Sequence, residues 1–193
     1  MNSKQSDKHN PFPENRTDSQ YPFVNLSQGQ HLHGFEVKAV TPIEELYAVA
    51  IELLHPQSGA RLLHFYTNDT KNWFSISPIT PTLDDTGLQH ILEHSVMAGS
   101  RSYPVKEVFF EMIKMSLATF EDANAMNWID HAYYFASSNV KKDLFNLAEV
   151  HFDCVFHPLL TEETFKREGH HLEPVDPNHP TEGLIINGIV YND

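Results

Sequence analysis

His90, Glu93 and His94 fall within five consecutive residues in the order H-x-x-E-H. On an α-helix, positions i and i+4 lie one turn apart on the same face, so both imidazoles address one ion. A carboxylate at i+3 falls beside the same point. The order is the inverse of the H-E-x-x-H pattern of zinc-binding helices. Catalytic zinc takes three protein ligands and keeps one position open for water. Neutral imidazoles leave the ion positive enough for that water to ionise near neutral pH, with an adjacent carboxylate taking the proton. His90 and His94 fit the ligand role and Glu93 the base. The chain also contains 13 histidines, including His31, His33 and the neighbours His170 and His171. Spacing alone therefore leaves a metal site and a chance pairing both open.

The elements that must position these residues are legible as pattern. Phe35 to Val40 alternates as a half-buried strand does, and Leu46 to Leu54 reads as a second strand. Pro56-Gln57-Ser58-Gly59 turns the chain into a third, Ala60 to Tyr66, and Trp73 to Ser77 is a fourth. Short turns between strands predict a mostly antiparallel sheet. A proline-rich loop then delivers the chain to the histidine helix, with Asp85 or Thr86 as N-cap and an end near Gly99. Val105 to Leu117 is predicted helical, and Ala118 to Asn124 and Ala132 to Ala136 as paired strands. Asn139 is read as the cap of a helix running from Val140 to about Val155. Its stripe of Leu144, Leu147, Ala148, His151 and Cys154 is read as core. Thr161 starts a further helix running towards Glu173, and Leu184 to Tyr191 is a final strand. The fold class is α+β, with helices packed on an antiparallel sheet.

Composition narrows the class. At 193 residues with an apolar fraction of 40%, the chain supports one ordinary domain and its core. A formal net charge of -13 argues against nucleic acid and anionic membrane as partners. The single cysteine, Cys154, forms no internal disulfide. No apolar run approaches the roughly 20 residues of a membrane helix. Neither a secretory signal nor an arginine-rich transit pattern opens the chain, so the expected location is cytoplasmic. Residues 1–33 are rich in Asn, Gln, Ser, Asp and Pro and read as a flexible polar tail, with the domain over 34–193. The sequence contains no internal repeat.

Longer stretches carry a resemblance. Thr86 to Glu107, with TGLQHILEHSVMAGSRSYPVKE, resembles the zinc-site region of the presequence-protease branch of the pitrilysin/insulinase metallopeptidases. The likeness continues through Ser116 to Phe120, Asn124-Ala125-Met126 and Phe135-Ala136-Ser137. It persists in Phe165 to Glu173 and in Gly188 to Asn192, covering about Gly34 to the C-terminus.

The resemblance implies a zinc-dependent endopeptidase (cofactor Zn2+) that hydrolyses unstructured peptides in a chamber built from four such domains. His90 and His94 match the histidine ligands and Glu93 the general base. Asn124 and Ala125 match the edge-strand region that binds the substrate backbone. The family's third ligand is a glutamate after an aromatic-Asn pair, and that position here is Asp193, whose stem is one methylene shorter. The segment Phe120 to Asn124 is longer than the family's, and Asp130 to Tyr134 shorter, which leaves open which tyrosine matches. A chain stopping soon after Tyr191 reads as an incomplete domain, with the missing remainder of the protease as partner and little activity alone. The alternatives are a non-catalytic peptide-binding or assembly subunit, a truncated gene product, and a histidine-rich metal buffer.

Overall fold

The computed structural model describes residues 24–119 and 121–192. They divide into two compact units after Thr70.

The first unit is a four-stranded antiparallel sheet in the order β1 (His31–Leu32), β2 (Phe35–Ile43), β3 (Ala48–Leu54), β4 (Arg61–Tyr66). Its core is branched aliphatic: Val24, Val37, Val49, Ile51 and Leu53, with Leu26, Phe35 and Val40 against it. Val24, Leu26 and β1 lie within the stretch read from composition as a polar tail. The β2–β3 register shifts between Val37 and Ala39, a bulge at Lys38, whose ammonium pairs with Glu36 at 2.8 Å. β3 starts at Ala48 rather than Leu46, because Glu44–Leu46 form a 3-10 turn closed by Tyr47 at φ 48°.

The second unit holds the histidine motif. Its sheet has the order β5 (Asn72–Ile76), β7 (Ala132–Ser138), β6 (Ala123–Asn127), with β7 central and both pairings antiparallel. Ala132, Tyr134 and Ala136 alternate into the core, and their mostly small side chains admit a close helix. That helix is α3 (Lys141–Phe156), which packs on β5 and β7 through buried Leu147, His151 and Cys154. Full burial of Leu147 alone contributes about 2 kcal/mol. α1 (Leu88–Val96) and α2 (Val108–Met115) close the core with Val96, Val108 and Met112. Asp122, at the foot of β6, accepts from Lys71 Nζ at 2.6 Å and from Thr119 N at 3.1 Å.

Two helix starts differ in detail from expectation, and a third agrees with it. Gly87, in the left-handed region at φ 70°, takes the cap position of α1 in place of Asp85 or Thr86. Val140 caps α3 without a side-chain bond, while the Ser138 hydroxyl accepts from Val140 N at 3.1 Å. Thr161 does cap α4 (Glu162–Glu168), its hydroxyl accepting from Thr164 N at 3.1 Å.

The end of the chain is more broken than periodicity implies. α4 stops at Glu168, and β8 (His171–Pro174) pairs with β9 (Leu184–Asn187) as a separate antiparallel hairpin. The last apolar run is therefore not one strand, for α5 (Ile189–Asn192) follows it. Gly188 is the reason. A Cβ there would lie 2.0 Å from Gly169 O, so only glycine lets the two backbones touch where the chain turns. Among the described residues no helix is long and apolar enough to cross a membrane.

Candidate metal centre

α1 is held at its start by backbone. The loop before it lies along the β6–β7 turn, with Thr80 N donating to Asp130 O and Thr82 N to Ile129 O, both at 2.9 Å. Gln89 Nε2 then donates to Pro81 O at 2.7 Å, and Ile91 N to Gly87 O at 3.0 Å. Ile91 and Val96 face inward, which leaves the other side of the helix to the motif.

On that side His90, Glu93 and His94 bring ligand atoms within 4.8 Å of one another. The two imidazole centroids are 4.9 Å apart and nearly perpendicular, at 78°. Glu93 Oε2 lies 3.9 Å from His90 Nε2 and 3.9 Å from His94 Nε2, so one carboxylate oxygen faces both rings equally. Glu93 is buried, whereas the histidine side chains are partly exposed. Two imidazole nitrogens facing a common point are donors of the kind zinc takes, and the Glu93 carboxylate lies beside both.

Residues outside the motif complete the arrangement. His94 Nδ1 lies 3.0 Å from Glu168 Oε2 on α4. A carboxylate only accepts, so Nδ1 carries the proton and Nε2 presents its lone pair, as metal-binding histidines held by carboxylates do. Glu168 is itself buried, and its other oxygen accepts from Arg167 Nε at 2.7 Å. Arg167 Nη1 pairs with Glu107 Oε1 at 2.8 Å. Tyr134, on β7, backs the site from the core. Burial, and then the negative charge of Glu93, push its phenol above the usual range. Glu168, Arg167 and Tyr134 lie in or beside segments that carry the resemblance, yet no spacing rule marks them.

A cleft of about 270 Å³ opens beside the motif. Glu93 and His94 line it together with Asn124 and Ala125 of β6, while Met97, Phe109 and Phe110 add apolar surface. β6 is the edge strand of its sheet, and Ala125 N donates to the Asn124 side-chain oxygen at 2.9 Å. Asp193, the expected third ligand, lies outside the described residues, as does Phe120. Tyr191 sits on α5 and is exposed. His151 is a packed core histidine. Its Nδ1 donates to Leu147 O at 2.7 Å, Phe74 meets the ring edge-on, and burial lowers its pKa.

No family model matches the chain. Curated relatives do. A presequence protease of Xenopus laevis is 44% identical over 170 residues, which is 88% of this chain and 16% of that protein. The Mus musculus protein is 42% identical over 165 residues, or 86% of this chain and 16% of its own length. The Saccharomyces cerevisiae protein is 40% identical over 165 residues, with the same shares. The chain thus spans about a sixth of the relatives it matches. Among solved structures, pitrilysin aligns with a TM-score of 0.50 at 21% identity, covering 64% of this chain and 14% of that one, a likeness of fold. All three relatives are named as mitochondrial proteins, which overturns the cytoplasmic location expected from the missing leader pattern. The lack of a recognisable leader carries no positive information about compartment.

Proposed function

We propose that this chain, a member by sequence of the presequence-protease branch of the pitrilysin/insulinase metallopeptidases, carries the metal-binding part of a zinc-dependent endopeptidase acting on unstructured peptides. One observation carries the reading: the ligand atoms of His90, Glu93 and His94 lie within 4.8 Å of one another, and Glu93 and His94 line a cleft together with Asn124 and Ala125 of an edge strand. His90 and His94 would hold the zinc, with Asp193 as third ligand by the family pattern.

Zinc, when bound, supplies a Lewis acid that lowers the pKa of water and polarises a carbonyl. The rest is done by side chains and backbone of this chain. Glu93 accepts the proton of the attacking water and returns it to the leaving amine, the role its position between the two imidazoles suits. Glu168 keeps His94 in the tautomer that offers Nε2. The β6 edge takes the peptide backbone as an added strand, so an extended, unfolded substrate fits and a folded one does not. Met97, Phe109 and Phe110 lower the water content of the cleft around the reacting groups. The relatives' names make a mitochondrial setting part of this proposal.

The test is metal content joined to hydrolysis. The chain purified in zinc is expected to hold close to one zinc per molecule. Peptide cleavage, measured with the chain alone and with the remainder of a relative supplied, should disappear on chelation and on Glu93→Gln. A chain that retains no zinc would overturn the reading.

A further inference from the structure

We infer that Arg167 and Glu107 are positioning residues for His94, forming with Glu168 a continuous chain from the start of α2 to the metal helix; the inference rests on the metal reading above. The links are Glu107 Oε1 to Arg167 Nη1 at 2.8 Å, Arg167 Nε to Glu168 Oε1 at 2.7 Å, and Glu168 Oε2 to His94 Nδ1 at 3.0 Å. All four residues line the same cleft as Glu93.

Helix geometry does not produce this arrangement. Arg167 and Glu168 are sequence neighbours on α4, and neighbours at i and i+1 do not face each other. Arg167 must fold back along the helix to reach Glu168, and something must hold it there. Glu107 is placed to do so. Its backbone sits at φ 62°, ψ 49°, the left-handed region that a residue with a Cβ rarely adopts, where it caps α2. Strain of this kind persists where the surroundings over-determine it, and it clusters at functional sites. The guanidinium then presents two donors of one rigid plane to two carboxylates. With each Glu168 oxygen engaged, the carboxylate has no freedom to rotate away from His94. The ring is thereby fixed in tautomer and in rotation about χ2.

The experiment compares Arg167→Ala, Arg167→Lys, Glu107→Gln and the double variant Arg167→Ala/Glu107→Gln in the full chain. Two readouts are needed: zinc affinity by chelator competition, and the His94 tautomer in the metal-free protein by long-range proton–nitrogen NMR. Loss of outer-shell support weakens metal binding by about 10-fold or more, which is the expectation for Arg167→Ala, together with a mixed His94 tautomer. Arg167→Lys should behave like Arg167→Ala, since a single ammonium lacks the two-donor fork. Glu107→Gln should cause a smaller loss, and the double variant should match Arg167→Ala, because the links act in series. If Arg167→Ala fails to fold, the same-sized Glu107→Gln decides through the same two readouts. Zinc affinity within twofold of the parent and an unmixed tautomer, or a double variant whose losses add, would overturn the inference. A parent chain that takes up no zinc overturns the metal reading instead, and the tautomer alone then decides this one.

Discussion

Glu168 Oε2 meets His94 Nδ1 at 3.0 Å across a sequence separation of 74 residues. The contact joins α4 to the motif helix α1, and it determines which nitrogen of His94 faces Glu93. Glu168→Ala should therefore weaken zinc binding by about 10- to 100-fold, the range for lost outer-shell carboxylates. Glu168→Gln, which still accepts through its amide oxygen, should lose less. Competition with a chromophoric chelator checks both, and circular dichroism confirms that the fold survives.

Glu93 separates binding from chemistry. In Glu93→Gln the two imidazoles remain, so zinc content should stay near that of the parent. Peptide hydrolysis should fall by about 100-fold or more, the contribution of a positioned general base. Equal loss of metal and activity would instead make Glu93 a ligand.

The β6 edge offers a test of substrate docking that leaves the metal alone. Ala125→Pro removes the edge-strand N–H, which must leave Asn124 Oδ1 to pair with a docked peptide, and edge strands tolerate the substitution. Losing one hydrogen bond of about 1 kcal/mol should raise KM roughly fivefold with kcat little changed. Steady-state kinetics on an unstructured peptide measures it, with zinc content as control.

Gly188 predicts a cost in stability. A methyl group there meets Gly169 O at 2.0 Å and His170 Cα at 2.8 Å, backbone atoms that cannot swing aside. Gly188→Ala should destabilise the second unit by about 3 kcal/mol, the upper part of the overpacking range. The urea midpoint reports it.

His151 gives the fold a pH dependence of known sign. Burial holds its pKa below the 6.5 of an exposed imidazole, so the unfolded chain binds the proton more readily. Its contribution to stability is fully present above pH 6.5 and is lost as pH falls through the lowered value. His151→Leu fills a similar volume and cannot titrate. Its urea midpoint should decline less than the parent's as the pH is lowered below 6.5.

Local chemistry was legible in the sequence, and so were the regular elements. The H-x-x-E-H spacing forces His90, Glu93 and His94 onto one helical face whatever surrounds them, because 3.6 residues per turn leave no other geometry. Alternation announced β2, and the apolar stripe of α3 marked Leu147, His151 and Cys154 as core. Both kinds of signal come from periodicity within a single element. Where elements end was less legible, since Tyr47, Gly87 and Gly188 act through backbone conformation or through a neighbour far along the chain.

The support of the candidate metal site belongs to tertiary structure. Glu107, Arg167 and Glu168 come from two further segments, and no spacing rule links them to His94. Only packing α4 against α1 brings Glu168 to Nδ1, and only the left-handed turn before α2 lets Glu107 reach Arg167. Sequence alone thus determined which side chains form the His-Glu-His cluster, because neighbours on one helix need no partner to align them. Which nitrogen of His94 faces Glu93, and how firmly the ring is held, was decided by contacts between elements, because a hydrogen bond across 74 residues exists only once the chain has folded.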